Sequence, residues 1–289
     1  MPPKQYLLSL SGASTALRPD INMSQESGKF YKPEETIYYN DGREERLLEF
    51  IKAHPNFAEM RGNVDMILAT IDEYGREKDF LMNVGSVKGE IVARQLIPEL
   101  KPDLMVELGG YVGYSTLLFG NAVKQSGGKK FLSFEASPKF AAISRELVNL
   151  AGLDDTIEIH VGSCRESLRK LRQSYPTGVV DLFFIDHAKP EYLNDLKLCE
   201  ELGLVGPNTT VVADDMNSSR VRDYQQYVRM PTDKKLGSFN YGLESSGQAS
   251  EISRGDPHLV YETTVFERLD PTGRPDSLEV SRCVAGKCY

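Results

Sequence analysis

The order of apolar and polar positions changes character four times along the chain. Residues 1–36 show no period and are rich in Ser, Pro and Gly, the pattern of a flexible extension. From Asp41 onward, apolar residues recur at helical spacing: Leu47, Leu48 and Ile51, then Val64, Ile67, Leu68 and Ile71. The pattern predicts a further helix over 86–100, with Val87, Ile91, Val92 and Leu96 on one side and Pro102 just beyond its end. From residue 104 short apolar runs alternate with helical segments. Strands are predicted at 104–108, 131–134, 157–161, 179–185 and 209–213, and helices at 114–123, 167–171, 191–202 and 221–228. Between the second and third strands, Ser137 and Pro138 read as an N-cap followed by Pro at the first helical position, and Phe140, Ile143, Leu147 and Leu150 give that helix its buried face.

Near-continuous apolar strands alternating with helices imply a parallel sheet covered on both faces. The right-handed crossover rule makes it a doubly wound, Rossmann-like α/β sheet. The stretch 236–257 is polar, rich in Gly and Ser and unpatterned, so it is expected to be a long inserted loop. After it, 258–266 and 277–283 read as extended segments joined by the turn-rich 270–275, an antiparallel edge to the same sheet. The expected organisation is one domain over 37–289 behind the extension.

Composition narrows the classes. A formal net charge of −8 with scattered Lys and Arg gives no electrostatic footprint for nucleic acid. No apolar run approaches the roughly 18 residues of a membrane span. The apolar run Tyr6 to Leu10 behind Lys4 is shorter than the roughly 7–15 residues of a secretory h-region. Cys164, Cys199, Cys283 and Cys288 form no CxxC pair and no disulfide framework, which fits reduced thiols in a cytoplasmic protein. The expected partner is a small molecule, with no nucleic acid and no membrane, and the chain is expected to be a monomer or a weak homodimer.

Two groups of residues carry candidate chemistry. Glu107, Gly109, Gly110, Gly113 and Ser115 follow a strand and open a helix, where glycines allow a tight turn and close approach to a ligand. Glu135 ends the next strand, 22 residues beyond Gly113, where an acidic side chain can hold ribose hydroxyls. The loop lacks the GxGxxG dinucleotide spacing, which favours a nucleoside cofactor without a pyrophosphate. The second group is Asp186 with His187 and Lys189 after one strand, and Asp214 with Asp215 after the next. Adjacent strand ends lie roughly 5 Å apart, so three carboxylates converge. Their mutual repulsion is relieved by a hard divalent cation such as Mg²⁺. The alternative is carboxylates turned outward as helix caps. Lys189 beside such a cation is expected to have a depressed pKa and to serve as a general base, whereas a lone loop lysine is a solvated charge. His187 either orients a cofactor or satisfies a local hydrogen bond.

These residues, with Met82, Asn83, Val84 and Gly85, Lys88 and Gly89, Tyr114, and Ala151, Gly152 and Leu153, resemble the catechol O-methyltransferase family in order and spacing from about Asp41 to about Arg229. The resemblance implies the class I methyltransferase fold, S-adenosylmethionine and Mg²⁺ as cofactors, and methyl transfer to one hydroxyl of a catechol-like substrate. It implies Asp186, Asp214 and Asp215 as metal ligands, Lys189 as the base, and Glu262 as a carboxylate on the second hydroxyl. It implies a cofactor site of Met82, Val84, Glu107, Gly109, Tyr111, Tyr114, Ser115, Glu135, Cys164, Asp186 and His187. The family usually has Asp-Asn where this chain has Asp214-Asp215. Ala188 and Phe80 stand at usual tryptophans, and Ser219 near a usual proline. These changes imply a wider or more polar pocket. Competing readings are an O-methyltransferase of larger caffeoyl- or flavonoid-type vicinal diols, a catalytically silent cofactor-binding relative, and a nicotinamide oxidoreductase, which the missing pyrophosphate fingerprint weakens.

Overall fold

The computed structural model describes residues 29–237 and 253–286. Among them, seven strands form one sheet in the order β3-β2-β1-β4-β5-β7-β6. These are β1 (Leu104–Leu108), β2 (Lys130–Glu135), β3 (Ile157–Val161), β4 (Leu182–Ile185), β5 (Thr210–Ala213), β6 (Val260–Leu269) and β7 (Pro275–Ala285). The first five are parallel; β7 runs antiparallel to β5 and β6 to β7. The order reverses between β1 and β4, and such a switch point opens a crevice at the carboxyl ends of the strands.

Alternation along the strands sends side chains to two separate cores. Met105, Phe131, Leu182, Phe184 and Val212 pack under helices α1 (Arg43–Ala53), α2 (Val64–Glu77), α3 (Gly85–Ile91), α4 (Ile97–Leu100), α5 (Tyr114–Gln125) and α6 (Pro138–Ala151). Val106, Leu132, Phe183, Ile185 and Val211 pack on the opposite face, under α7 (Cys164–Ser174), α8 (Tyr192–Glu201) and α9 (Arg222–Val228). Both faces of β1, β2, β4 and β5 are thus removed from water, which fits their mostly apolar sequences, whereas the edge strand β3 is largely exposed and alternates apolar with polar residues. The expected start of α6 holds, with Ser137 accepting from the Phe140 N–H and Pro138 opening the helix; Gly152 closes it in the left-handed conformation.

Several expectations need adjustment. The helix expected over 86–100 begins at Gly85 and passes through a π-helical turn, Val92–Leu96, between α3 and α4. Val87 is exposed rather than part of its buried face, and Lys88 takes that place. The fourth strand starts at Leu182, with Val179 exposed. Helix continues through 232–237, so the start of the expected 236–257 loop is helical; 238–252 lies outside the described residues. The extension is not free to its end, because Tyr31 is buried against the domain. Its residues 1–28, and Cys288, lie outside the described residues.

Candidate active site

The crevice is built from the ends of β1, β2, β4, β5 and β7. On its first side, Glu107 leaves β1 fully buried, and its Oε2 accepts from Ser133 Oγ at 2.5 Å and Thr116 Oγ1 at 2.6 Å. Its Oε1 is buried with no hydrogen-bond partner, an acceptor aimed at nothing in the chain. Burial pushes the Glu107 carboxyl up to about 7, against hydrogen bonds from Ser115, Ser133 and Thr116 that favour the charge. Gly109 follows at φ +97°, and a Cβ there would stand 2.4 Å from the Asp186 carbonyl oxygen. Only glycine lets the β1 and β4 ends approach this closely.

Glu135 ends β2 and is buried. Its Oε2 accepts from the Tyr111 N–H at 2.8 Å and its Oε1 from the Ser137 N–H at 2.7 Å. Tyr111 itself sits at φ +44° and donates its hydroxyl to Glu44 at 2.9 Å. The Tyr114 hydroxyl donates to Asp72 of α2. Ser115 and Val84 are buried and Met82 is half-buried. Cys164, which opens α7, comes together with His187 and Asp195, their ligand-type atoms within 4.8 Å of one another. His187 Nε2 shares a 2.9 Å hydrogen bond with Asp195, and its ring stacks on Tyr192 at 5.2 Å, leaving Nδ1 unpartnered. The local hydrogen bond expected as one option for His187 is therefore present.

On the second side the ladder continues past the strands: the Asp186 N–H donates to Leu108 O and the Asp214 N–H to Ile185 O, fixing both residues on neighbouring strand ends. Asp214 and Asp215 gather with Asp276 at the start of β7, their carboxylate oxygens within 4.8 Å of one another. Asp215 reaches them from a left-handed backbone, φ +56°, a conformation that Asp and Asn adopt more readily than other non-glycine residues. Lys88, 1% exposed, donates to Asp214 at 2.5 Å and to Asp276, with Asp215 at 3.4 Å. Lys189 bridges Asp186 at 3.0 Å and Asp215 at 2.6 Å and donates to the Tyr192 hydroxyl at 3.0 Å. Asp186 therefore joins the group through Lys189.

Four carboxylates here face two ammonium groups, a formal excess of two negative charges. The strain of that excess is visible in the carboxyl groups. Burial raises the pKa of Asp214 strongly and those of Asp186 and Asp276 as well, with the lysines only partly offsetting it. Asp215 is the exception: burial opposes its charge, but Lys189 and Lys88 hold it below the usual range. The donors are all oxygen and the missing charge is +2, which suits a hard divalent cation.

A depressed Lys189 pKa is expected beside a cation; among the chain's own groups burial pulls it down, but Asp186, Tyr192 and Asp215 outweigh that, and the net pKa is raised well above the ordinary value. One expectation is corrected: Glu262 is not in the crevice. It is exposed on the edge strand and pairs with Arg282, which pairs with Thr210 at the start of β5. That is about 10 Å down the strand from Ala213. Asp276 occupies the position beside the carboxylates instead. Lys88, Asp276 and Tyr192 line the site without having been assigned a role from sequence. A signal existed for Lys88, which falls at helical spacing between the buried Val84 and Ile91.

Comparison with known proteins agrees with this architecture. A family profile described as a methyltransferase domain matches residues 106–216. The chain is 32% identical to the catechol O-methyltransferase of Bos taurus over 84% of each chain. It is 33% identical to that of Mus musculus over 68% of this chain and 72% of the relative. A Bacillus cereus O-methyltransferase solved in complex with SAH shares the fold at a TM-score of 0.51 and 18% identity, covering 86% of this chain and 93% of the other. Among the described residues no helix is long and apolar enough to cross a membrane. A doubly wound sheet with an antiparallel edge, a crevice at its switch point and relatives of this identity over most of the chain place it together: it belongs to the catechol O-methyltransferase family and is an S-adenosylmethionine-dependent O-methyltransferase.

Proposed function

We propose that this enzyme transfers a methyl group to one hydroxyl of a catechol-like vicinal diol and depends on a divalent cation such as Mg²⁺. The observation that carries the reading is the group of four carboxylates compensated by only two lysines at the ends of β4, β5 and β7. Asp214, Asp215 and Asp276 would hold the cation, with Asp186 beside them. When bound, the cation lowers the pKa of a coordinated hydroxyl and S-adenosylmethionine supplies the electrophilic methyl group.

The chain does the rest. Asp186, Tyr192 and Asp215 together keep Lys189 charged; a cation held by Asp215 beside Asp186 would offset the two carboxylates and favour the neutral amine. Lys189 Nζ can then accept the substrate hydroxyl proton. Glu135 would hold the ribose hydroxyls, and the unpartnered Glu107 Oε1 would accept from the donor's ammonium group. Val84, Met82, Gly109, Tyr111, Ser115, Cys164 and His187 would shape the walls that align donor and acceptor and keep water out. The free thiols of Cys164, Cys199 and Cys283 suit a reducing cytoplasm.

Ala188 and Ser219 are both exposed and small, where the family resemblance expects large or rigid side chains. This favours acceptors larger than catechol itself. The test is methyl transfer to catechol and to a caffeoyl-type diol, with Mg²⁺, after EDTA, and after Mg²⁺ is restored. Turnover lost with EDTA and recovered with Mg²⁺ is expected, with the larger diol preferred. EDTA-resistant turnover would overturn the cation dependence.

A further inference from the structure

The helix α2 carries a glycine near its end for which its own backbone gives no reason. Gly75 does not have a positive φ, and glycine weakens a helix interior relative to alanine. A Cβ at Gly75, however, would stand 2.6 to 2.7 Å from three ring atoms of Tyr31. The helix is hollowed to receive that ring. Across from it, a Cβ at Gly273 in the β6–β7 turn would meet the Phe30 ring at 3.0 Å. The segment bearing both rings is tied down along its backbone: the Tyr31 N–H donates to Pro271 O and the Lys32 N–H to Gly75 O, both at 2.8 Å. It is a strap joining α2 to the β6–β7 turn.

The buried end of the strap meets the cofactor side of the crevice. The Tyr31 hydroxyl donates to Asp72 at 2.5 Å, and the Tyr114 hydroxyl donates to the other oxygen of the same carboxylate at 3.1 Å. Asn83 Nδ2 donates to the Tyr31 oxygen at 3.3 Å. Tyr114 is the first residue of α5, on the glycine loop, and Asn83 lies between Met82 and Val84. A cleft of about 110 Å³ lies beside the strap, lined by Tyr31, Asp72, Val84, Gly85 and Pro271 among others.

We infer that Tyr31 is a positioning residue for the methyl donor. By sharing Asp72 with Tyr114 and receiving Asn83, it holds in register the two segments that, on the reading proposed above, line the S-adenosylmethionine site. Buried hydrogen-bond networks of this kind fix geometry only when every member is in place. The strap therefore belongs to the donor site, and donor affinity depends on its docking.

The test uses the full chain and three variants, Tyr31→Ala, Tyr31→Phe and Gly75→Ala. The last leaves the strap's sequence and the site's side chains untouched; its Cβ evicts the ring while, by propensity, it favours the helix, so a loss of donor binding cannot come from a weakened α2. Binding of S-adenosylhomocysteine is measured by calorimetry, with kcat and KM for donor and acceptor, and circular dichroism confirms the fold. Tyr31→Ala and Gly75→Ala are expected to weaken S-adenosylhomocysteine binding and raise donor KM about tenfold, roughly a single hydrogen-bonded contact to a charged group. Tyr31→Phe, which keeps the ring, should show about a third of that effect, and kcat at saturating donor should change by less than about twofold in all three. Folded variants that bind like the parent, or that lose kcat without a change in donor KM, overturn the inference. If Tyr31→Ala does not fold, Gly75→Ala and Tyr31→Phe decide alone. A parent chain that does not bind S-adenosylhomocysteine overturns the donor reading itself, and the role of Tyr31 falls with it.

Discussion

The two sides of the crevice both place acids at strand ends, yet they compensate them in opposite ways. Glu107 and Glu135 are met by neutral donors: hydroxyls of Ser133 and Thr116, and the backbone N–H groups of Tyr111 and Ser137. Asp186, Asp214, Asp215 and Asp276 are met by Lys88 and Lys189. Neutral donors orient a carboxylate without cancelling its charge, so the first side keeps its acceptors for the hydroxyls and ammonium of a ligand. Ammonium groups cancel charge one for one, so the second side is a matter of balance, and it is short by two positive charges. On the proposed reading, one crevice would hold the organic donor on one side and a divalent cation on the other.

The comparison is broken most directly on the ionic side. Asp214→Ala should lower kcat/KM by at least about a hundredfold, beyond the range seen when groups behind a metal ligand are removed, while donor binding by calorimetry changes little. If donor affinity falls as far as turnover does, the two sides are not separate. Lys189→Met is the next largest. Loss of a positioned base costs about a hundredfold or more in kcat, and the cation concentration for half-maximal activity should fall, because a competing ammonium has been removed. A variant with unchanged kcat would remove Lys189 from proton transfer.

On the neutral side the expected effect is smaller and depends on pH. The folded-state pKa of Glu107 is raised to about 7, so the folded chain holds a proton there that the unfolded chain loses at lower pH. Its contribution to stability is therefore greatest in acid and declines as pH rises toward 7. A donor ammonium needs the ionised form, so S-adenosylhomocysteine affinity should rise about tenfold between roughly pH 6 and pH 8. Glu107→Gln should bind more weakly and show a flat profile; a wild-type profile already flat would detach this carboxyl from the donor. The smallest effect sharpens the boundary of the site. Glu262→Ala, an exposed edge-strand change, should leave both kinetic constants within about twofold and stability within about 0.5 kcal/mol; a large loss of acceptor KM would return Glu262 to the site.

What the sequence determined by itself was the local and periodic part. Apolar runs alternating with helical stripes specified the parallel sheet, because burial on both faces leaves no other composition for those strands. Residues fixed at strand ends, such as Glu107, Glu135, Asp186 and Asp214, were legible for the same reason: their place follows from where a strand stops. The tertiary structure alone decided what arrives from elsewhere in the chain. Lys88 comes from a helix and Asp276 from the last strand, 188 residues apart, to meet at one carboxylate group. Glu262 was misplaced because a side chain's height in an antiparallel edge is set by pairing register, here Thr210 with Arg282 with Glu262, and register is not written in local pattern. The sign of the Lys189 shift was likewise a tertiary matter. Burial and charge act in opposite directions on an ammonium, and only the positions of Asp186, Asp215 and Tyr192 around it decide which one wins.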